Sequence, residues 1–126
     1  MTPQAADAWW RMKQAAAGDG VTLICISAFR SVDRQRRLIE RAVQAGETRA
    51  AVLHRLAPPG YSEHHSGRAL DIGTPGCPPA EAAFGNTEAY SWLTNHAAAF
   101  GFRMSYPEGN TSGFMPEPWH WCWQAQ

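Results

Sequence analysis

"PGYSEHHSGRALDI", residues Pro59–Ile72, carries the densest polar signal in this chain. Two adjacent histidines follow a glutamate, Gly67 comes two residues later, and Asp71 stands between apolar residues. Polar groups packed this closely are costly in a fold unless they hold something. Gly67 suits a turn and "RALDI" suits a strand, so the histidines lie just before a strand that carries the aspartate.

Upstream, Ala5 to Ala17 reads as a helix, with Trp9, Met12 and Ala16 on one face and Gly18-Asp19-Gly20 as its stop. "VTLICIS" (21–27) is short, apolar and β-branched, which predicts a buried strand. Ser31 can cap a following helix whose inner stripe is Val32, Ile39, Ala42 and Val43. Gln35 falls on that stripe, and an inward glutamine needs a polar partner. A second short helix is expected over Thr48 to Leu56.

Downstream, the Pro/Gly-rich "TPGCPPAEAAFGN" (74–86) reads as an irregular surface loop. Thr87 can cap a helix running to Phe100, with Leu93, Ala97 and Phe100 inward and Gly101 at its stop. "FRMSY" (102–106) reads as a strand and "PEGNTSG" (107–113) as a loop. In "PWHWCW" (118–123) the alternation puts Trp119, Trp121 and Trp123 on one face, with His120 and Cys122 on the other. Helices interleaved with short strands imply an α+β fold: a small, mainly antiparallel sheet with helices packed on it.

The 126 residues, 44% hydrophobic, suit a single domain over residues 1–126. Eleven basic and eleven acidic side chains balance, so charge gives no reason to expect a nucleic-acid partner or an anionic membrane surface. No apolar run approaches the roughly 20 residues of a membrane span. "MTPQAADAWWRMKQ" lacks the basic region and apolar core of a signal peptide. The three cysteines, Cys25, Cys77 and Cys122, have no C-x-x-C spacing and read as free, mostly buried thiols.

Chemistry gathers at three places near strand ends: His64/His65 with Asp71, Glu117 three residues before His120, and Arg30 with Gln35. One histidine and Asp71 from the first segment, with His120 from the last, would supply the three protein ligands of a catalytic zinc. Pro118 disfavours helix at Glu117, which places that glutamate in the loop entering the last strand. From there it can serve as a general base without being a ligand. Each piece alone has a plainer reading as solvated loop or strand-end turn. The coincidence of all three in one small domain favours a metal site, but spacing alone does not choose between His64 and His65.

The motifs also carry a resemblance. "SEHHSGRALD" fits S-x-H-x-x-G-x-A-x-D, "EPWHW" fits an E-x-x-H box, and "SAFRS" with Gln35 fits an upstream S-x-x-R-S…Q element. Together they resemble the VanY-type D-alanyl-D-alanine carboxypeptidases, within the zinc peptidases that include the lysostaphin and hedgehog-type domains. The likeness runs from about Trp9 to Trp123. It implies a hedgehog/D-Ala-D-Ala-peptidase-like fold and a Zn2+ site formed by His64, Asp71 and His120. Glu117 is implied as catalytic base, Arg30 as the arginine that binds and polarises substrate, and Gln35 and Ser62 as pocket residues. Glu63 and His65 are expected to be solvated loop residues, and His54 and His96 structural ones.

The implied activity is zinc-dependent removal of the C-terminal D-alanine from peptidoglycan stem peptides, D,D- favoured over L,D-. An endopeptidase or D,D-dipeptidase is the alternative among enzymes, and a non-catalytic zinc-containing binding module the alternative from another class. The expected partner is a stem peptide or precursor, and the expected state a monomer. The resemblance points to the cell envelope or periplasm, with the cytoplasm as the alternative.

Overall fold

The computed structural model describes residues 1–111 and 114–125. The 107–113 loop is therefore described only up to Thr111, its last two residues lying outside the described ones.

Helix α1 spans Pro3–Gly18; Thr2 caps it by accepting from the Ala5 amide at 3.3 Å, with proline at the first turn. Its buried face (Ala5, Ala8, Trp9, Met12, Ala16) keeps the expected three-to-four spacing. Strand β1 is Ile24–Ser27, followed by α2 (Val32–Gln44) and α3 (Arg49–Arg55), capped by Ser31 and Thr48. A 3-10 turn, Glu63–Ser66, leads into β2 (Ala69–Gly73). Helix α4 (Glu88–His96) tightens into a 3-10 turn over Ala97–Phe100, and β3 (Phe102–Met104) and β4 (His120–Trp123) complete the chain.

The four strands form one antiparallel sheet in the order β1-β2-β4-β3, which is the predicted α+β architecture. Register sorts its two faces. Leu70 pairs with Trp121, and both are buried in the core with α1 and α4 residues such as Met12 and Leu93. Asp71 pairs with His120 on the opposite face. Ile72 and Leu70 are fully buried, each stabilising the fold by roughly 1.5–3 kcal/mol.

Two glycines are required by geometry. Gly67 ends the 3-10 turn at φ 72°, and its carbonyl accepts from the Thr2 amide at 2.8 Å, tying the N-terminus to the histidine segment. Gly101 sits at φ 87°, where a Cβ would lie 2.8 Å from Trp123 Nε1.

Several expectations are corrected. β1 begins at Ile24, three residues later than read, and it is not buried: Ile24 and Ile26 are 37% and 39% exposed because β1 is an edge strand paired only with β2 among the described residues. Val32, in the first turn of α2, is exposed, so the inward residues of that helix reduce to Gln35 and Ile39, with Ala42 and Val43 half-buried. Of the three free thiols only Cys122 is buried, since Cys25 lies on the edge strand and Cys77 in a surface turn. The 74–86 segment is irregular as read, but it ends in a 3-10 turn that inserts Phe84 into the core. His54 and His96 are exposed, His96 with its ring 4.8 Å from that of Trp92.

Candidate metal centre and active site

The central cross-strand pair of the sheet builds the site. With Asp71 on β2 opposite His120 on β4, the carboxylate Oδ1 and the imidazole Nδ1 meet at 3.2 Å. The 3-10 turn before β2 brings His64 over the same oxygen, Nε2 to Oδ1 at 3.3 Å. The three side chains are buried, and among the described residues they form one group whose ligand atoms all lie within 4.8 Å of one another. The structure thus distinguishes the two adjacent histidines: His64 faces Asp71 and His65 turns elsewhere.

The donor set fits a metal ion. Two imidazoles and a carboxylate are the ligand types of a three-ligand catalytic zinc site. The two histidine nitrogens lie 3.2 and 3.3 Å from Asp71 Oδ1, close enough for one ion to be shared, and all three ligand atoms fall within 4.8 Å of one another. The remaining ring nitrogens are also held. His64 Nδ1 donates to the Ala28 carbonyl at 2.6 Å, leaving Nε2 directed at Asp71. His120 Nε2 donates to Glu63 Oε1 at 2.8 Å, leaving Nδ1 for the centre.

Charge follows from this packing. Burial would raise the Asp71 carboxyl, but hydrogen bonds from His120 and His64 outweigh it and hold the group at about 2. Burial would lower the His120 imidazole, yet its bonds to Asp71 and Glu63 lift it to about 9. Glu117 behaves differently. Burial, with Asp71 and Glu63 adding to it against His120 and Arg30, pushes its carboxyl up to about 7.

The position of Glu117 arises from a tight turn. The His120 amide donates to the Glu117 carbonyl at 3.1 Å, and the Glu117 amide donates to the Tyr106 carbonyl at 2.8 Å. The turn through Pro118 brings Glu117 Oε1 to 3.9 Å from His120 Nδ1, although residues three apart on a straight strand would face opposite ways. Trp119 belongs to this turn rather than to β4; it lines the cavity wall and, like Trp123, also packs against the core that holds Trp121.

Arg30 reaches the site from the loop after β1. Its guanidinium donates to Gln35 Oε1 at 2.8 Å and to Ser27 Oγ at 3.3 Å, and lies 4.0 Å from Asp71 Oδ2. Gln35 completes its own pairing through Nε2, which donates to the Ala57 carbonyl at 2.8 Å. The inward glutamine therefore has the polar partners its position requires. Ser62 caps the 3-10 turn by accepting from the His64 amide at 3.2 Å.

Arg30, Gln35, Ser62, His64, Asp71, Glu117 and His120 all line one cavity of about 470 Å³. Arg55, Tyr106 and Met115 add to its walls. Two neighbours expected to be solvated are instead engaged. His65 Nδ1 donates to the Arg30 carbonyl at 2.6 Å while its Nε2 accepts from the Gly60 amide at 3.1 Å. Glu63 accepts from both His120 and Ser105, the latter at 2.6 Å. Partners 35 to 57 residues away leave no local pattern from which either contact could be read.

Comparison with known proteins identifies the family and the fold. The chain matches the family model of VanY, D-alanyl-D-alanine carboxypeptidase, over residues 1–126. It is 36% identical over 121 residues to YodJ of Bacillus subtilis (strain 168), covering 93% of this chain and 44% of that protein. It is 33% identical over 117 residues to a D-alanyl-D-alanine carboxypeptidase of Enterococcus faecalis (strain ATCC 700802 / V583), covering 85% and 42% respectively. The chain thus spans less than half the length of these curated relatives. Among solved structures it superposes on the LdcB LD-carboxypeptidase with a TM-score of 0.88 at 32% identity, covering 98% of this chain and 58% of that one. On the vancomycin-resistance D,D-pentapeptidase VanY, solved in complex with Zn(II), the TM-score is 0.80 at 31% identity, with 96% and 71% covered. The chain belongs to the VanY D-alanyl-D-alanine carboxypeptidase family.

Proposed function

We propose that this domain is a zinc-dependent carboxypeptidase that removes the C-terminal D-alanine from peptidoglycan stem peptides, with D,D- specificity preferred over L,D-. The observation that carries the reading is the lining of one cavity: a His-Asp-His group, a buried glutamate beside it and an arginine fixed opposite. Zinc held by His64, Asp71 and His120 would polarise the scissile carbonyl and make water acidic enough to attack near neutral pH.

The chain's own residues account for the remaining work. Glu117, ionised, takes a proton from the attacking water at a carboxylate oxygen. As the new C–O bond forms and the C–N bond breaks, it returns that proton to the departing amine. Burial raises this carboxyl to about 7 in the metal-free site and a bound cation would lower it, which leaves Glu117 ionised and able to accept the proton at neutral pH. Arg30 is held by Gln35 and Ser27 with its fork in the cavity, where it can bind a substrate carboxylate or the developing negative oxygen. Gln35 supports catalysis by fixing that fork, and Ser62 by shaping the turn that presents His64. A metal-holding binding module needs the three ligands but not the base, so Glu117 favours an enzyme.

Relatives of both specificities share the fold: the LdcB neighbour is an LD-carboxypeptidase, and another, VanYB, was solved with D-alanine-D-alanine. The same reading extends to a place of action at the cell envelope, where such stem peptides occur. No helix among the described residues is long and apolar enough to cross a membrane. The test is incubation of zinc-loaded protein with stem tetrapeptides and pentapeptides, products being identified by mass. Loss of one alanine from the pentapeptide supports D,D-carboxypeptidase, and loss of one from the tetrapeptide alone supports L,D-. Internal fragments would indicate an endopeptidase, and absence of any product would sink the enzymatic reading.

A further inference from the structure

His120 is gripped on both of its ring nitrogens. Nδ1 faces Asp71 in the centre, while Nε2 lies 2.8 Å from Glu63 Oε1. The two nitrogens of an imidazole point away from each other, so Glu63 touches the edge turned from Asp71 and stands outside the three-residue group. The same Glu63 oxygen accepts from Ser105 Oγ at 2.6 Å. Ser105 follows β3, Glu63 opens the 3-10 turn before β2, and His120 opens β4. One carboxylate thereby ties three segments together. Tyr106 packs against the His120 ring, with centroids 4.9 Å apart, and limits its tilt.

We infer that Glu63, braced by Ser105, is a positioning residue that fixes the rotation of His120 and presents its Nδ1 to the metal. This rests on the reading of His64, Asp71 and His120 as the ligands. An imidazole has two candidate ligand nitrogens, and the one used is set by the bond the other makes. A carboxylate on Nε2–H selects Nδ1 and makes it a stronger electron donor. A neutral acceptor can hold the proton but gives less of that donation. The turn matters as well. Glu63 is next in sequence to His64, so the four-residue turn that supplies one ligand also orients a ligand 57 positions away. Movement of this turn would disturb two of the three ligands together.

The test uses purified full chain labelled with 15N-histidine, as wild type and as Glu63→Gln, Glu63→Ala and Ser105→Ala. Zinc affinity is measured by competition with a chromophoric chelator, and the His120 Nε2–H proton is followed by NMR with and without zinc. Wild type is expected to show a slowly exchanging, downfield Nε2–H signal in both states. Glu63→Ala should lose that signal and bind zinc roughly 10–100-fold more weakly, the usual cost of removing such a partner. Glu63→Gln should rescue part of the affinity, because its amide oxygen can still accept the N–H, and Ser105→Ala should lie nearest wild type. A purely structural role for Glu63 would lower the melting temperature while leaving the Nε2–H signal and zinc affinity of Glu63→Ala at wild-type values, which overturns the inference. Absence of zinc binding by wild type would instead overturn the metal-site reading and the inference with it.

Discussion

Asp71 Oδ1 lies within 3.3 Å of a ring nitrogen from each of two histidines, His64 and His120, one on a turn and one on the neighbouring strand. One oxygen so placed makes the three groups interdependent. Replacing His64 or His120 with alanine should abolish stoichiometric zinc binding. His65→Ala should keep the metal, since its ring bonds Arg30 and Gly60 instead. Losing those two bonds should cost roughly 1–2 kcal/mol of stability and loosen the Arg30 loop. Metal content and thermal unfolding of the three variants check this, and equal zinc loss in His65→Ala would reverse the choice of histidine.

Zinc binding should release protons and strengthen with pH. Without metal, His120 is raised to about 9, so at pH 7 its Nδ1 carries a proton that the ion must displace. Asp71, at about 2, is already ionised and releases none. At least one proton should therefore leave at pH 7, and affinity should rise by about tenfold per pH unit toward pH 9. Calorimetry in buffers of different ionisation enthalpy counts the protons. A value of zero at pH 7 would mean that His120 is neutral in the metal-free protein.

Arg30→Ala should lower turnover strongly while zinc stays bound, by on the order of 10²–10³ if the guanidinium meets the developing oxyanion. Arg30→Lys should fall short as well, because an ammonium cannot hold Gln35 and Ser27 and still present a planar fork. Gln35→Ala should act more weakly, chiefly on KM, by releasing the fork. Steady-state kinetics with zinc content measured alongside decide the point. Unchanged kinetics in Arg30→Ala would reduce Arg30 to a structural ion-pair partner of Asp71.

The sequence made the metal group legible because its ingredients are local or periodic. Alternation in "PWHWCW" separates His120 from Trp121 before pairing is known, and "RALDI" reads as the strand that carries Asp71. Register then makes His120 and Asp71 direct partners. What stayed hidden depends on distance in the chain. Strand order is not written in β1, so Ile24 and Ile26 read as core although they lie on an edge. Glu63 and His65 look like solvated neighbours of a ligand because Ser105, His120 and Arg30 are remote in sequence. Glu117 was placed in the loop by Pro118, but its approach to His120 needs the turn that the Glu117 carbonyl closes.

Glu117→Gln separates an enzyme from a metal-holding module. The amide keeps the volume of the side chain but cannot take up a proton at neutral pH, so zinc should be retained while the chemical step slows by at least ~10²–10⁴. Loss of zinc would make Glu117 a ligand or support, and full activity would assign the base elsewhere. The metal-free protein offers an independent check of sign. The folded carboxyl is raised to about 7 from an ordinary 4.5, so its contribution to stability is complete below pH 4.5 and is lost as pH rises through 7. Above that pH the wild type buries a charge that Glu117→Gln does not. Metal-free Glu117→Gln should therefore be the more stable protein at pH 8, by on the order of 1–3 kcal/mol, with the advantage gone at pH 4. A nearby cation favours the carboxylate, so zinc should erase this difference and move the acid limb of kcat/KM below pH 7. Denaturant unfolding of both proteins at the two pH values, with and without zinc, reads the effect. An advantage for Glu117→Gln that is the same at pH 4 and pH 8 would show that burial does not hold the carboxyl near neutrality.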